Sequence, residues 1–265
     1  MALEIDLNCD MGESFGIYRI GNDEEMMKHV TSISVGCGFH GGDPHVMRKT
    51  VNLAKQYGVA VGAHPGYPDL IGFGRRRLEV TADEAKDYIL YQVGALRAFC
   101  DAAGLEFQHV KPHGQLYNMA WKDEALARGI LEAIREIKPA PIFLALEGTI
   151  PYRLAAEMGV RVAGELYADL EYAPDGTTFI KKVHGEIDVD ATVKKVLMMV
   201  LDGKVISSEG RKIDVKGKSL CFHGDNPRGP EIAQAVRKEL EKRGVTIAPL
   251  RLHSDSRFPE EGRQK

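Results

Sequence analysis

Residues 3–9 (LEIDLNC) alternate cleanly: Ile5, Leu7 and Cys9 fall on one face, and Asp6, Asn8 and Asp10 on the other. A period of two marks a strand, here one whose second face is polar. The pattern then changes to helical spacing and back repeatedly. It predicts a short helix over 23–29, a strand over 32–36, and a helix opened by Asp43-Pro44 and stopped by Gly58. Asp can cap orphan N–H groups there, and Pro is tolerated at the first helical position. A third strand follows over 59–63, and Thr81-x-x-Glu84 is a capping box that opens a long helix ending near Gly104. A fourth strand ends over 109–111, followed by a helix over 123–137, a strand over 141–146, a helix over 150–158 and a strand over 160–165. Residues 166–187 are Gly- and Asp-rich and read as a large loop. Beyond it come a helix over 188–201, a small hairpin around Glu209-Gly210, a strand over 219–222, a helix over 230–243 and a short last strand over 245–248.

Strands alternating with helices in one uninterrupted series imply a parallel α/β architecture, either a barrel or an open doubly wound sheet. Polar residues decide between them. Asp10, His40, His64, Lys111 with His113, Glu165, and His223 with Asp225 all sit at strand ends. In a barrel those ends converge on one face, whereas an open sheet spreads them along a line. The expected fold is one TIM-like (β/α) barrel of seven strands over residues 1–253, with a polar tail over 254–265.

The chain has 265 residues with 44% hydrophobic and 28% charged content, enough for one large core. A formal net charge of −3 gives no reason to expect nucleic acid. Apolar runs such as 196–201 are far too short to span a bilayer, and the first residues turn acidic at once, unlike a secretory signal. The 4 cysteines show neither CxxC nor metal-finger spacing. The expected setting is cytoplasmic with reduced thiols.

The longest loop with chemical content is 62–76 (GAHPGYPDLIGFGRR), which exceeds the roughly 2–6 residues that a connection needs. Asp10 and Glu13 place two carboxylates after the first strand, suited to a base paired with a cation ligand; Glu13 equally suits pairing with an arginine. The glycine-rich 36–43 segment offers N–H groups to an anion or oxyanion, while Asp43 reads as a plain N-cap. Cys37 near His40 has the form of a nucleophile with its base, but reads better as a small buried thiol. In His109-Val110-Lys111-Pro112-His113, the proline argues against a zinc-binding helix. Lys111 pointing into a barrel mouth needs an anion. Gly217-Lys218-Ser219 lacks the upstream glycine of a phosphate loop and reads as a surface turn. A single histidine is commonly structural; the convergence of so many ionisable strand ends carries the functional reading.

With these segments in view, the chain resembles the LamB/YcsF family of 5-oxoprolinase A subunits. The likeness lies in residues 6–16 (DLNCDMGESFG), 36–44, 62–76, Tyr91-Gln92 with Ala95-Leu96, 109–118 (HVKPHGQLYN) and His223-Gly224-Asp225. It implies a barrel related to glycoside hydrolases and deacetylases, and ATP-dependent opening of 5-oxo-L-proline to L-glutamate together with partner subunits B and C. The chain departs from the family in lacking Ala before Cys37 and after His40, where Gly36 and Gly41 stand, and in having Leu170 where Phe-Ala-Asp-Arg ends in arginine. On this resemblance, catalysis falls to Asp10, His64, Lys111, His113 and His223. Asp10 or His64 activates water, Lys111 and the 36–42 backbone stabilise the oxyanion or phosphate, and His113 or His223 protonates the departing nitrogen. Arg75 and Arg76 are expected to grip the substrate carboxylate, with Glu13, His40, Glu165, Asp169 and Asp225 completing the substrate site. ATP is the expected co-substrate. The rivals are a metal-dependent deacetylase or amidohydrolase, with a divalent ion on Asp10, His64, His113 and His223, and a non-enzymatic ligand-binding subunit. Homo-oligomerisation is compatible with either.

Overall fold

In a computed structural model, residues 3–179 and 187–252 are described; the tail expected over 254–265 lies outside them. Strands β1 (Glu4–Met11), β2 (Ser32–Gly36), β3 (Ala60–His64), β4 (Phe107–Val110), β5 (Ile142–Ala145) and β6 (Val162–Tyr167) follow one another around a sheet. A hairpin of β7 (Lys204–Ile206) and β8 (Lys212–Asp214) leads to β9 (Ser219–Phe222) and the short β10 (Thr246–Ile247). β9 pairs with both β6 and β1, all parallel, which closes a seven-stranded barrel; β10 pairs with the first residues of β1. The helices are α1 (Asp23–Met27), α2 (Pro44–Tyr57), α3 (Ala82–Ala103), α4 (Gly114–Ala120), α5 (Glu124–Glu136), α6 (Ile150–Glu157), α7 (Val189–Asp202) and α8 (Gly229–Lys242).

Local signals set the element ends. Asp43 accepts from the N–H groups of His45 and Val46, the Thr81–Glu84 capping box forms, and Gly58 and Gly104 end their helices with φ of 68° and 70°. Apolar stripes then attach helices to the barrel. On α5, Leu126, Ile130, Leu131 and Ile134 are buried, each worth about 1.5–3 kcal/mol on removal from water.

The outward faces of the strands (Leu7, Cys9, Ile33, Val35, Phe143, Leu220, Phe222) belong to this main core. The inward faces differ. Asp6 accepts from the hydroxyls of Thr31, Ser32 and Ser219 at 2.7–2.8 Å, and one layer up Asn8 donates to Ser32 and accepts from Ser34. Ser34 and Asn8 both meet His109 Nε2. A register shift between β3 and β4 puts Phe107 opposite Val61 and Val110 opposite Ala63, so His109 has room to turn inward. It fits only because β3 has Gly62: a Cβ there would lie 2.2 Å from the imidazole. Apolar Ile142, Leu144 and Ala163 form a separate cluster against Leu250 and Leu252.

Candidate active site at the barrel mouth

Parity along the strands delivers the site. Asp6, Asn8 and Asp10 share one face of β1, so continuing past the structural network brings Asp10 to the C-terminal mouth. The same step on β9 runs from Ser219 through Cys221 to His223. A pocket there is lined by Asp10, His64, Arg75, Lys111, His113 and His223, with Tyr117, Trp121, Tyr167 and Leu170 as its larger walls.

Lys111 is the charged centre. Its Nζ donates to Asp10 Oδ1 at 2.7 Å and to Cys221 Sγ at 2.8 Å, and lies 3.5 Å from Glu165. Burial opposes its charge, but Asp10, with Cys221 and Glu165, raises its pKa well above the ordinary value. Burial likewise pushes the Asp10 carboxyl up, yet His64 and Lys111 pull it well below the usual range. Burial lowers the pKa of His64 although Asp10 Oδ2, 3.3 Å from its Nε2, pulls it up, and Lys111 is the cation that sits nearest Asp10. Burial raises Glu165 and, aided by Asp10 and Asp225, raises Glu13 well above the carboxylate range. These three buried acids are thereby pushed apart, Asp10 below the ordinary carboxylate range and Glu165 and Glu13 above their ordinary value.

The histidines are held in defined tautomers. His64 Nδ1 lies 2.7 Å from the Lys111 carbonyl and His113 Nε2 2.8 Å from the Phe73 carbonyl, so each of these nitrogens carries the hydrogen and donates it. Phe73 adopts φ 53°, uncommon for a residue with a side chain, and its carbonyl is thereby brought to His113. His223 Nδ1 donates to Asp169 Oδ1 at 2.7 Å, and its Nε2 lies 3.9 Å from Asp10. Burial lowers the pKa of His223, but Asp169 and Asp10 outweigh it and the net shift is upward. Arg75 bonds Asp225 at 2.8 Å while lining the pocket.

Other expected residues fall elsewhere. Glu13 and His40 are buried behind His113 rather than on the pocket wall, 3.1 Å from each other. Asp169 and Asp225 act through His223 and Arg75. Arg76 is a correction: its side chain is 57% exposed and bound to Asp69, outside the pocket, because the turn after Gly72 directs successive arginines apart. The 36–42 backbone is a second correction. Gly38 and Gly42 donate to the carbonyls of Gly41 and Glu13, and none of these glycines lines the pocket. They are small because backbone crosses backbone there: a Cβ on Gly42 would meet the Gly12 and Gly36 carbonyls at 2.8 Å. Cys37 donates to the Val35 carbonyl, and burial pushes its pKa to about 12, the reading of an inert buried thiol.

The metal set expected from sequence is also divided. Among the described residues, the ligand atoms that cluster belong to Glu13, His40, His64 and His113, and separately to Asp10, Cys221 and His223. Lys111 occupies Asp10 and Cys221 in the second group, which therefore does not suit a cation.

Sequence reading missed α4, whose Tyr117 and Trp121 wall the pocket, because a helix of 7 residues gives too little periodicity. Tyr167 and Cys221 were findable: they continue the parity of Glu165 and Ser219.

Residues 5–255 match the LamB/YcsF family along nearly the whole chain. The chain belongs to that family. Over 250 residues, covering 94% of this chain and 98% of the other, this LamB/YcsF member is 51% identical to a Thermococcus onnurineus protein named as the A subunit of 5-oxoprolinase. Its fold superposes on the crystal structure of a lactam utilization protein from Thermus thermophilus with a TM-score of 0.87, at 41% identity and covering 94% and 100% of the two chains. The catalytic domain of a peptidoglycan N-acetylglucosamine deacetylase from Eubacterium rectale shares the barrel alone, with a TM-score of 0.54, 11% identity and coverage of 96% and 91%. Among the described residues, no helix is long and apolar enough to cross a membrane.

Proposed function

We propose that this chain is the A subunit of an ATP-dependent 5-oxoprolinase, opening the lactam of 5-oxo-L-proline to L-glutamate together with subunits B and C. The observation that carries the reading is the buried Asp10–Lys111 pair, open to a pocket that also holds Arg75 and His223. Half-identity to a protein named for that activity supports the choice of substrate.

A five-membered lactam is resonance-stabilised and gains little from strain, so ATP activates it by phosphorylating its oxygen. Water adds to the carbon, the C–N bond breaks to leave a γ-glutamyl phosphate, and a second water releases phosphate and L-glutamate. Asp10 is the ionised group beside the pocket and takes a proton from the attacking water. Lys111 offsets negative charge on the oxygen of the attacked carbon. His223, proton-bearing through Asp169, hands its Nε2 hydrogen to the ring nitrogen as the C–N bond breaks. His113 is unsuited to that step because its Nε2 hydrogen is committed to Phe73. With Leu170 apolar on the wall, Arg75 is the guanidinium placed to hold the substrate carboxylate.

The test is glutamate release from 5-oxoproline, with and without ATP and with and without the partner subunits. Release that needs ATP and partners is expected. Turnover of amides without ATP would transfer the chain to the amidohydrolase reading, and binding without turnover to the non-enzymatic one.

A further inference from the structure

We propose that Asn118 reads the lactam itself: its carboxamide pairs with the ring N–H and the ring carbonyl together, and so makes the pocket selective for a small cyclic amide over open-chain secondary amides. The inference rests on the lactam-opening reading and deepens it.

The placement comes from α4. Gly114, Tyr117, Asn118 and the C-cap Trp121 all line the pocket, and their spacing of i, i+3, i+4 and i+7 puts them on one helical face. The other side holds the helix in place. Leu116 and Ala120 are fully buried in the main core, and the Met119 sulfur accepts from the Tyr67 hydroxyl at 3.4 Å. The first turn is docked on the 62–76 loop: the Gln115 N–H donates to the Gly74 carbonyl at 2.9 Å, and a Cβ on Gly114 would lie 2.6 Å from that same oxygen.

On the pocket face the aromatic residues are already engaged. The Tyr117 hydroxyl accepts the Leu146 N–H at 2.6 Å, and its ring meets Trp121 edge to face with centroids 5.3 Å apart. Asn118 differs from them. It is half-buried, it is the carboxamide of the pocket wall, and among the described residues nothing hydrogen-bonds that group. A carboxamide supplies both donors and an acceptor.

The charged groups leave a need that this residue meets. Arg75 holds the substrate carboxylate and Lys111 serves the carbonyl oxygen, but both only donate, so neither can take the ring N–H. Asp10 is bound by Lys111 and serves the attacking water. An N–H buried without an acceptor weakens binding. In a five-membered lactam the amide is cis, so N–H and C=O point the same way from one edge; an open-chain secondary amide is trans and points them oppositely. One carboxamide therefore pairs with a lactam through two parallel hydrogen bonds, and with an open-chain secondary amide through one. Accepting the ring N–H also leaves more electron density on the lactam oxygen, whose outer lone pair stays open to phosphorylation.

The test compares two ligands by calorimetry on the full chain, alone and assembled with subunits B and C. One is 5-oxo-L-proline, the other the lactone acid in which a ring oxygen replaces the N–H. Wild type should bind the lactam at least about tenfold more tightly, since the lactone sets an oxygen against the carboxamide. Asn118→Leu keeps the volume and removes both hydrogen bonds. It should weaken lactam binding by about 10–100-fold and lactone binding by less than about threefold, so that the preference collapses. Asn118→Ala repeats the comparison, with circular dichroism reporting folding in each variant. A preference unchanged in the folded variants would overturn the inference. So would a wild type that binds the lactam no better than the lactone, or loss of folding in both variants, which would make Asn118 structural. If glutamate release fails while Asn118 still sets the preference, the 5-oxoprolinase reading falls and the lactam site stands.

Discussion

The lower and upper halves of the barrel interior are built from the same strands and are both polar, yet they do different things. Below, Asp6 is surrounded by neutral hydroxyls from Thr31, Ser32 and Ser219, and Asn8 by Ser32, Ser34 and His109, so the hydrogen bonds are satisfied within the network. His109 is pulled by burial to a pKa of about 3 and stays neutral. Above, Asp10 faces a full ammonium charge, and the histidines around it face an open pocket. A buried polar network made of neutral donors specifies a structure; one that holds an ion pair at a solvent-reachable mouth can also do chemistry.

Breaking the upper half has the largest expected effect. Lys111→Met leaves Asp10 buried without its cation and should cost about 3–5 kcal/mol of stability in denaturant titration. Asp10→Asn should lower ATP-dependent glutamate release by roughly 10²–10⁴-fold. The double variant should recover much of the stability and none of the activity; recovery of turnover would separate the pair from the chemistry.

Asp6→Asn probes the lower half. It removes acceptor capacity from the hydroxyls of Ser32 and Ser219, which donate to Asp6, at a cost of about 1–3 kcal/mol, with the KM of the remaining folded enzyme unchanged. A large change in KM would show that the two halves are not separate.

The pH response sharpens the contrast further. Because the His223 pKa is raised above its ordinary 6.5 by Asp169 and Asp10 against burial, its contribution to stability is complete below that value and is lost as pH rises through the higher folded pKa. The stability gap between wild type and His223→Gln should therefore narrow as pH increases above 6.5. The depressed Asp10 behaves oppositely: its contribution is present above the ordinary 3.8 and fades as pH falls through the lower folded value. A gap for His223→Gln that widens with pH would contradict the ion pair.

The smallest effect compares neighbouring arginines. Arg76→Ala should leave KM unchanged and cost about 1 kcal/mol, because the guanidinium is 57% exposed and the buried Asp69 keeps its bond from the Gly72 N–H. Arg75→Ala should raise KM for the carboxylate substrate. Equal kinetic effects would place both on the substrate.

Alternation and capping signals placed the strands and helices and the polar face of β1, because period and turn chemistry are local properties, and the ionisable residues at the strand ends chose a barrel over an open sheet. The hairpin around Glu209-Gly210 and the capping box at Thr81 were legible for the same reason. Partnership was not. Asp10 meets Lys111 across 101 residues, and Glu13 reaches His40 across 27, through the stagger of neighbouring parallel strands and the shift between β3 and β4. Only that tertiary register decided that Arg75 faces the pocket while Arg76 leaves it. It also turned the glycines at 36–42 towards other backbone, and it brought His64 Nε2 and His113 Nδ1 within 2.9 Å of each other. Distances between side chains from separate segments depend on how the barrel closes, and closure is a property of the whole sheet.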